Sequence, residues 1–440
     1  MTTMLNGRFN ATNEVRKVLR AVILMLTAAV ALATTPSAGA QTAGPPEGRL
    51  LEALQRNRLS LTMSDGRPSG PGWDWLVGQA AGARFTLIGE EHGVAETAQL
   101  SAALFNALRA SGYNRVAIEL SPVIARDIES AGKRNGIRGI ADFLGTPGIF
   151  TFYNMREEAQ FLADVLVAAP PRQRFLWGFD REIFSDRYLI SRLEPRVPAR
   201  AQEAFTRLVQ ASENARAKNE RTGNPDDLFF LAEDPALVTA LRTAWQDPDL
   251  VSAFIMRTIE ESLAIEAAER AGGVWPYMER RAQWARSNFA ELLRADRERN
   301  LSSKVLMKFG YNHAIRGPNY FNVFDLGAMA DEVAALTGER AFHILVLPGP
   351  GSRQAVPAGG GRFGSVASDD YDEMRAGDQR LTRVLSNPNA TGHEVFDLRP
   401  LRRLAMRGLE SWNADVVRTI HGFDAVVIWK AARASSGLQP

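Results

Sequence analysis

Residues 84–120 read RFTLIGEEHGVAETAQLSAALFNALRASGYNRVAIEL. The stretch opens on an apolar, β-branched run, Arg84 to Gly89, ended by glycine, which predicts a strand. Val94 to Ser111 follows with helical spacing and is closed by Gly112. Asn114 to Leu120 is again a strand pattern. Pro122 then stands where a new helix would begin, at a first-turn position that tolerates a missing N–H. Strand, helix and strand over a span of about 35 residues make a βαβ unit, so the sheet is parallel. The two runs are apolar throughout, as strands buried on both faces must be.

The same pattern continues outward. A helix is expected over Asn154 to Ala168 and a strand over Arg174 to Gly178. From about Asp180 to Asn300 the strand signal stops. The chain there is charged, alanine-rich and helical in period, broken by Pro195, Pro198, Pro225, Pro235, Pro248 and Gly272-Gly273. Strand patterns return at Lys304 to Gly310, Phe342 to Leu347, Glu394 to Leu398 and Asp424 to Trp429. The expected fold is α/β: a mainly parallel central sheet flanked by helices, with a large helical insertion. Residues 84–180 and 301–440 form the α/β core domain, and 181–300 form the insertion, a candidate cap over the sheet. Residues 41–83 are read as an N-terminal arm, with regular structure beginning at Arg84. The Gly/Pro-rich stretch from Pro348 to Gly364 is read as a loop. It lacks a Walker lysine, so it is not read as a phosphate loop.

At the N-terminus, Arg16, Lys17 and Arg20 precede an apolar run, Ala21 to Ala33, with Ala38-Gly39-Ala40 behind it. That run is short for a transmembrane helix and has the length of a signal-peptide core. Residues 1–40 are therefore expected to be a Sec-type signal peptide. The mature chain would start near Gln41 in the periplasm or outside the cell, with no stable membrane anchor. The absence of cysteine rules out disulfides, thiolate ligands and a cysteine nucleophile. It also makes any bound haem non-covalent. The whole chain carries 52 basic and 50 acidic residues. Without residues 1–40 the balance is 48 to 49, which gives no nucleic-acid-binding surface.

Ligands in open parallel sheets sit beyond the carboxyl ends of the strands. Three such ends carry polar residues here. Gly89-Glu90-Glu91-His92-Gly93 puts two carboxylates and an imidazole at a strand-to-helix turn. Helix-start amides there favour the neutral, basic imidazole, and a carboxylate can orient its ring. Capping by Glu90 or Glu91 beside a solvated histidine is the plainer reading of the same residues. Glu119 ends VAIEL, where a buried carboxylate needs a partner, either a ligand or a helix-borne arginine. Gly310-Tyr311-Asn312-His313 repeats the glycine-then-histidine arrangement, with Arg316 three residues on. Glu90, His92, Glu119 and His313 suit a general base with an orienting acid. His92, Glu119 and His313 also suit a divalent metal. Asp180, Asn312 and Arg316 are candidate substrate contacts, although Asp180 is equally an N-cap. His343 lies within a strand and is read as structural. His393 and His421 follow turn residues and are read as solvated. No G-x-S-x-G follows a strand, so direct attack by water is favoured over a serine nucleophile.

With these residues in place, the chain resembles the erythromycin esterase / ChaN-like / Tiki superfamily. The landmarks, in order, are LIGEEHG (87–93), VAIE (116–119), WGFD (177–180), KFGYNHAIRG (308–317), FDLG (324–327), FDLRPLR and FDAVVIW. The resemblance implies Glu and His at parallel strand ends and, in the esterases, a histidine that acts as general base on water; the matching position is His92. Erythromycin esterases separate that Glu and His by two residues. The single residue between Glu90 and His92 is nearer the ChaN-like and Tiki branches, associated with haem binding and with metal-dependent peptide cleavage. The expectation is an exported hydrolase of an ester, lactone or amide in a small-molecule or peptide substrate, with haem or metal binding as the alternative.

Overall fold

The computed structural model describes residues 52–171, 173–357, 362–368, 392–407 and 414–438. The expected signal peptide lies outside them. One sheet of nine strands organises the described chain. In chain order the strands are β1 (Arg58–Ser64), β2 (Arg67–Ser69), β3 (Phe85–Glu90), β4 (Tyr113–Ile118), β5 (Leu176–Gly178), β6 (Lys304–Gly310), β7 (Ala341–Pro348), β10 (His393–Asp397) and β11 (Ala425–Trp429). The numbers β8 (Arg353–Pro357) and β9 (Phe363–Ala367) belong to a separate hairpin. Across the sheet the order is β2-β1-β10-β11-β7-β3-β6-β4-β5. The run from β11 to β5 is parallel, and β10, β1 and β2 extend it by antiparallel pairing.

β3 is central, between β6 and β7. All six of its residues are buried, which explains the unbroken apolar run. Its side chains alternate between two cores: Ile88 joins Ile344 and Val346 on one face, while Phe85 and Leu87 join Leu345 and Leu347 on the other. The first helix after it, α2 (Ala95–Leu108), follows α1 (Pro71–Ala81). A short 3-10 turn leads from α2 to Gly112, whose φ of +90° ends the segment. α3 (Pro122–Leu144) starts with Ser121 as N-cap and Pro122 in its first turn. α4 (Arg156–Leu166) completes this layer.

Residues 181–300 are helical, with no strand among the described residues. Their main helices are α5 (Asp186–Leu193), α6 (Gln202–Thr222), α7 (Phe229–Ala232), α8 (Ala236–Trp245), α9 (Leu250–Gly272) and α10 (Val274–Glu298). Leu189, Phe205, Phe230, Leu241 and Ile259 from this segment extend one of the two sheet cores, so the insertion is packed onto the α/β body. α11 (Tyr311–Ala314), α12 (Leu326–Ala335), α13 (Arg402–Arg407) and α14 (Ala414–Gly422) cover the remainder.

Two readings of the sequence are corrected. Regular structure does not begin at Arg84: β1, β2 and α1 precede it. β1 lies near the sheet's edge and buries only Leu61, so it lacks the continuous apolar pattern of the central strands. The missed signal was Asp65-Gly66, where both residues have positive φ, 49° and 73°, as a two-residue hairpin turn requires. The stretch read as a loop from Pro348 to Gly364 contains β8 and enters β9, which pair antiparallel.

Candidate functional site

Strand register builds the site. Glu90, the last residue of β3, is level with Gly310, the last of β6. Ile118 of β4 is level with Lys308 of β6 and Gly178 of β5. Glu119 follows immediately after β4, and Asp180 two residues after Gly178. Glu90, Glu119 and Asp180 thus emerge along one carboxyl edge of the sheet, His92 lies two residues beyond Glu90, and His313 joins them from α11.

After β3 the chain must turn sharply. Gly93 has φ +83°, and a Cβ there would lie 2.1 Å from the Ala355 carbonyl oxygen of β8. Only glycine lets the hairpin pass this close, and the turn presents His92 to the cleft. His92 Nδ1 and Glu90 Oε1 are 2.9 Å apart. Its ring stacks on Phe152, 4.5 Å between centroids and 16° between planes. His92 Nε2 lies 3.3 Å from Glu119 Oε2 but makes no aligned hydrogen bond.

Glu119 is the hub. Its Oε2 accepts from the Gly310 amide at 2.6 Å. Its Oε1 accepts from Arg281 at 2.7 Å and lies 3.5 Å from His313 Nε2. Arg281, on α10, also grips both oxygens of Asp180, at 2.8 and 2.6 Å. Trp284, one turn on, donates to the Asp180 carbonyl. His313 Nδ1 pairs with Asp325 at 2.8 Å. Behind Glu90, Lys308 Nζ lies 2.5 Å from Glu90 Oε1 and 2.9 Å from Glu158 Oε1.

These contacts set the charges. Burial alone would disfavour protonated His92, but Glu119 and Glu90 outweigh it and raise its pKa to about 10. His313 is likewise raised against burial, to about 9, chiefly by Asp325. Burial pushes Glu119 up, yet the charges of His92 and His313 hold it well below the usual carboxylate range. The resting site therefore holds two imidazoliums, a guanidinium and ionised carboxylates. This corrects the expectation of a neutral His92: two carboxylates in direct contact outweigh any helix-start effect.

Glu90, Glu91, His92, Glu119, Met278, Arg281, Gly310, Asn312 and His313 line a cleft with about 20 Å³ of free volume, room for roughly one water. Asp180 lies one contact behind, through Arg281. It does not cap a helix, because α5 begins at Asp186. Arg316 is not at the cleft: it bridges Asp424 and Asp331 at 3.0 and 3.1 Å. His343 is fully buried with Nδ1 on the Ala314 carbonyl, a structural placement. His393 accepts from the Lys430 amide through Nδ1 and is only partly exposed. The insertion reaches the cleft through Met278 and Arg281 of α10, not through its aromatics. Phe229, Phe230, Trp245 and Tyr277 are buried in cores, and Trp275 is exposed away from the lining.

The structure does bring His92, Glu119 and His313 together, but their chemistry does not fit a divalent metal. Both Glu119 oxygens are taken, one by the Arg281 guanidinium and one by the Gly310 amide. No cluster of metal-binding side chains occurs among the described residues. Haem does not fit the cleft as it stands: both histidines are nearly inaccessible, with side chains 9% and 5% exposed, and an axial imidazole must reach the porphyrin iron.

Sequence reasoning missed Arg281, Asp325, Lys308 and Glu158. Lys308 had a signal: it is the one charge inside the apolar run VLMKFG, and a charge buried in a strand must be paired.

No protein-family model matches the sequence, and no curated protein does. Solved structures do match over nearly the whole chain. A Bacillus cereus protein aligns at 15% identity with a TM-score of 0.55, covering 89% of this chain and 99% of its own. A succinoglycan biosynthesis protein aligns at 11% identity and 0.58, covering 90% and 100%. An erythromycin esterase, EreC, in its open conformation aligns at 13% identity and 0.54, covering 87% and 100%. The chain has the erythromycin-esterase fold. The resemblance read from the ordered landmarks is thereby met at the level of architecture.

Proposed function

We propose that the protein is an exported hydrolase of the erythromycin-esterase-like superfamily. It would cleave an ester, lactone or amide in a small-molecule or peptide substrate by direct attack of water. The observation that carries this reading is the His92–Glu119 pair at the bottom of the cleft. His92 Nδ1 is committed to Glu90, while Nε2, 3.3 Å from Glu119 Oε2, makes no aligned hydrogen bond. A water seated against Nε2 would give up its proton there as it attacks the carbonyl carbon. Arg281 and protonated His313 place positive charge where the carbonyl oxygen becomes an oxyanion. His92 must first lose its own proton, so the active form is the minority form at neutral pH.

The cleft as it stands admits little beyond water. A substrate therefore requires α10, with Met278 and Arg281, to draw back from the strand ends. That EreC has been captured in an open conformation supports a movable cover in this fold.

The test is a panel of ester, lactone and peptide substrates with His92→Ala and Glu119→Ala. Loss of a general base should cost ~10²-fold or more. Full activity in both variants would remove the assignment. Export is tested separately: the mature protein should begin near Gln41, and recovery of the intact Met1 chain from membranes would overturn it.

A further inference from the structure

We propose that Lys308 and Glu158, buried behind the cleft, are positioning residues for His92. They lock the Glu90 carboxylate so that it always holds His92 Nδ1–H and leaves Nε2 as the nitrogen presented to the cleft. This rests on the reading of His92 as the reacting group, but its test does not need a substrate.

Lys308 is out of place by pattern. It occupies the same face of β6 as Leu306, whose side chain joins the core there, and only 1% of its side chain is exposed. Tyr153 and Phe161 rings lie 5.8 Å from its ammonium. An apolar residue would fill this position without the cost of desolvating a charge. What the lysine gains is two carboxylates, Glu90 and Glu158. A merely structural pair needs one.

The contact geometry shows what the second carboxylate is for. Glu90 Oε1 receives both Lys308 Nζ and His92 Nδ1. That single oxygen is pinned between ammonium and imidazole, so the carboxylate cannot turn without breaking both contacts. Glu158 in turn pins Lys308 from the first turn of α4. Its segment also supplies Phe152, which stacks on the His92 ring. One stretch, residues 152–158, therefore fixes the plane of the imidazole and, through Lys308 and Glu90, its rotation. The other oxygens, Glu90 Oε2 and Glu158 Oε2, are buried without a hydrogen-bond partner. That expense is unexplained by packing. It is explained if the triad exists to hold one oxygen in one place.

The groups facing this triad are His92, Tyr153 and Glu119. Burial raises the Glu158 carboxyl to about 7, with Lys308 opposing. Burial would lower the Lys308 ammonium, but Glu158 and Glu90 raise it above its ordinary value. The lysine therefore stays charged while Glu158 adjusts its proton to its surroundings.

The experiment uses the full chain labelled with ¹⁵N-histidine. The His92 Nδ1–H signal is assigned by its loss in His92→Gln. In Lys308→Met the proposal expects that signal to shift or broaden, and kcat on any substrate found to fall about 10²-fold at unchanged KM. Lys308→Arg, which keeps the charge, serves if the methionine variant does not fold; it too should move the signal. A folded Lys308 variant that loses thermal stability but leaves the Nδ1–H signal in place would overturn the proposal. If wild-type protein turns over no substrate, the hydrolase reading fails while the NMR signal still decides the positioning role.

Discussion

Arg281 and Glu119 are joined across the seam between insertion and sheet, Nη2 to Oε1 at 2.7 Å, with both groups buried. The same guanidinium holds Asp180, so one helix-borne charge bridges two strand-end carboxylates. Arg281→Met would leave Asp180 only the looser Arg181 contact at 3.6 Å, and Glu119 only its imidazole and Gly310 amide contacts. Breaking a buried pair by removing one partner costs about 3–5 kcal/mol. The denaturation midpoint should fall accordingly. Arg281→Lys should recover part of the loss but not the bidentate grip.

Stability should fall at alkaline pH. His92 and His313 have folded pKa values of about 10 and about 9, above the ordinary 6.5. A raised value means the folded state binds the proton more tightly. The stabilisation is whole below pH 6.5 and is lost as pH climbs through 9 to 10. Thermal midpoints measured from pH 6 to 10.5 should decline, and His92→Gln with His313→Gln should flatten the curve. Hydrolysis should show the opposite trend up to about pH 9, kcat/KM rising as a growing fraction of His92 becomes free to accept a proton, and should level off above it as His313 gives up its own. A rate that falls over this range would make His92 the acid.

Gly310 keeps space open for the central pair. A Cβ there would lie 3.3 Å from both Glu119 Oε2 and His92 Nε2. Its φ of −51° carries no strain for other residues. Gly310→Ala should therefore leave the fold nearly intact and push His92 and Glu119 apart, lowering kcat by ~10²-fold. Unchanged turnover would locate the reaction elsewhere.

Chelation should leave activity unaltered, because Arg281 and the Gly310 amide already occupy the Glu119 oxygens. Metal analysis of purified protein, run beside assays with and without chelator, checks this. Activity lost to chelator and restored by a divalent ion would put a metal where Arg281 now sits.

The core of the fold was legible because its strands are buried on both faces. Phe85–Glu90, Lys304–Gly310 and Ala425–Trp429 announce themselves as apolar runs. β1 did not, since a half-solvated strand has one inward residue to show. His92, Glu119 and His313 were found because polar residues at apolar strand ends stand out. Arg281 was hidden: MERRAQWAR places it beside Arg280, whose side chain is 44% exposed on Glu261, and only tertiary packing tells the two apart. Arg316 misled because it follows the histidine in sequence, yet its chain has already turned back to Gly422.

The placement of β3 has a consequence for the order of events during synthesis. Its hydrogen-bonding partners on both sides, β6 and β7, are residues 304–310 and 341–348. When FTLIGE leaves the ribosome, neither neighbour exists, and the whole helical insertion must be made before one does. Until then an uncapped apolar strand is exposed, the state in which chains aggregate or are held by chaperones. A chain whose candidate-site histidine follows its central strand cannot assemble that site by halves: Gly310 and His313 arrive only with the second half, and the slow closing of so long a loop sets the pace.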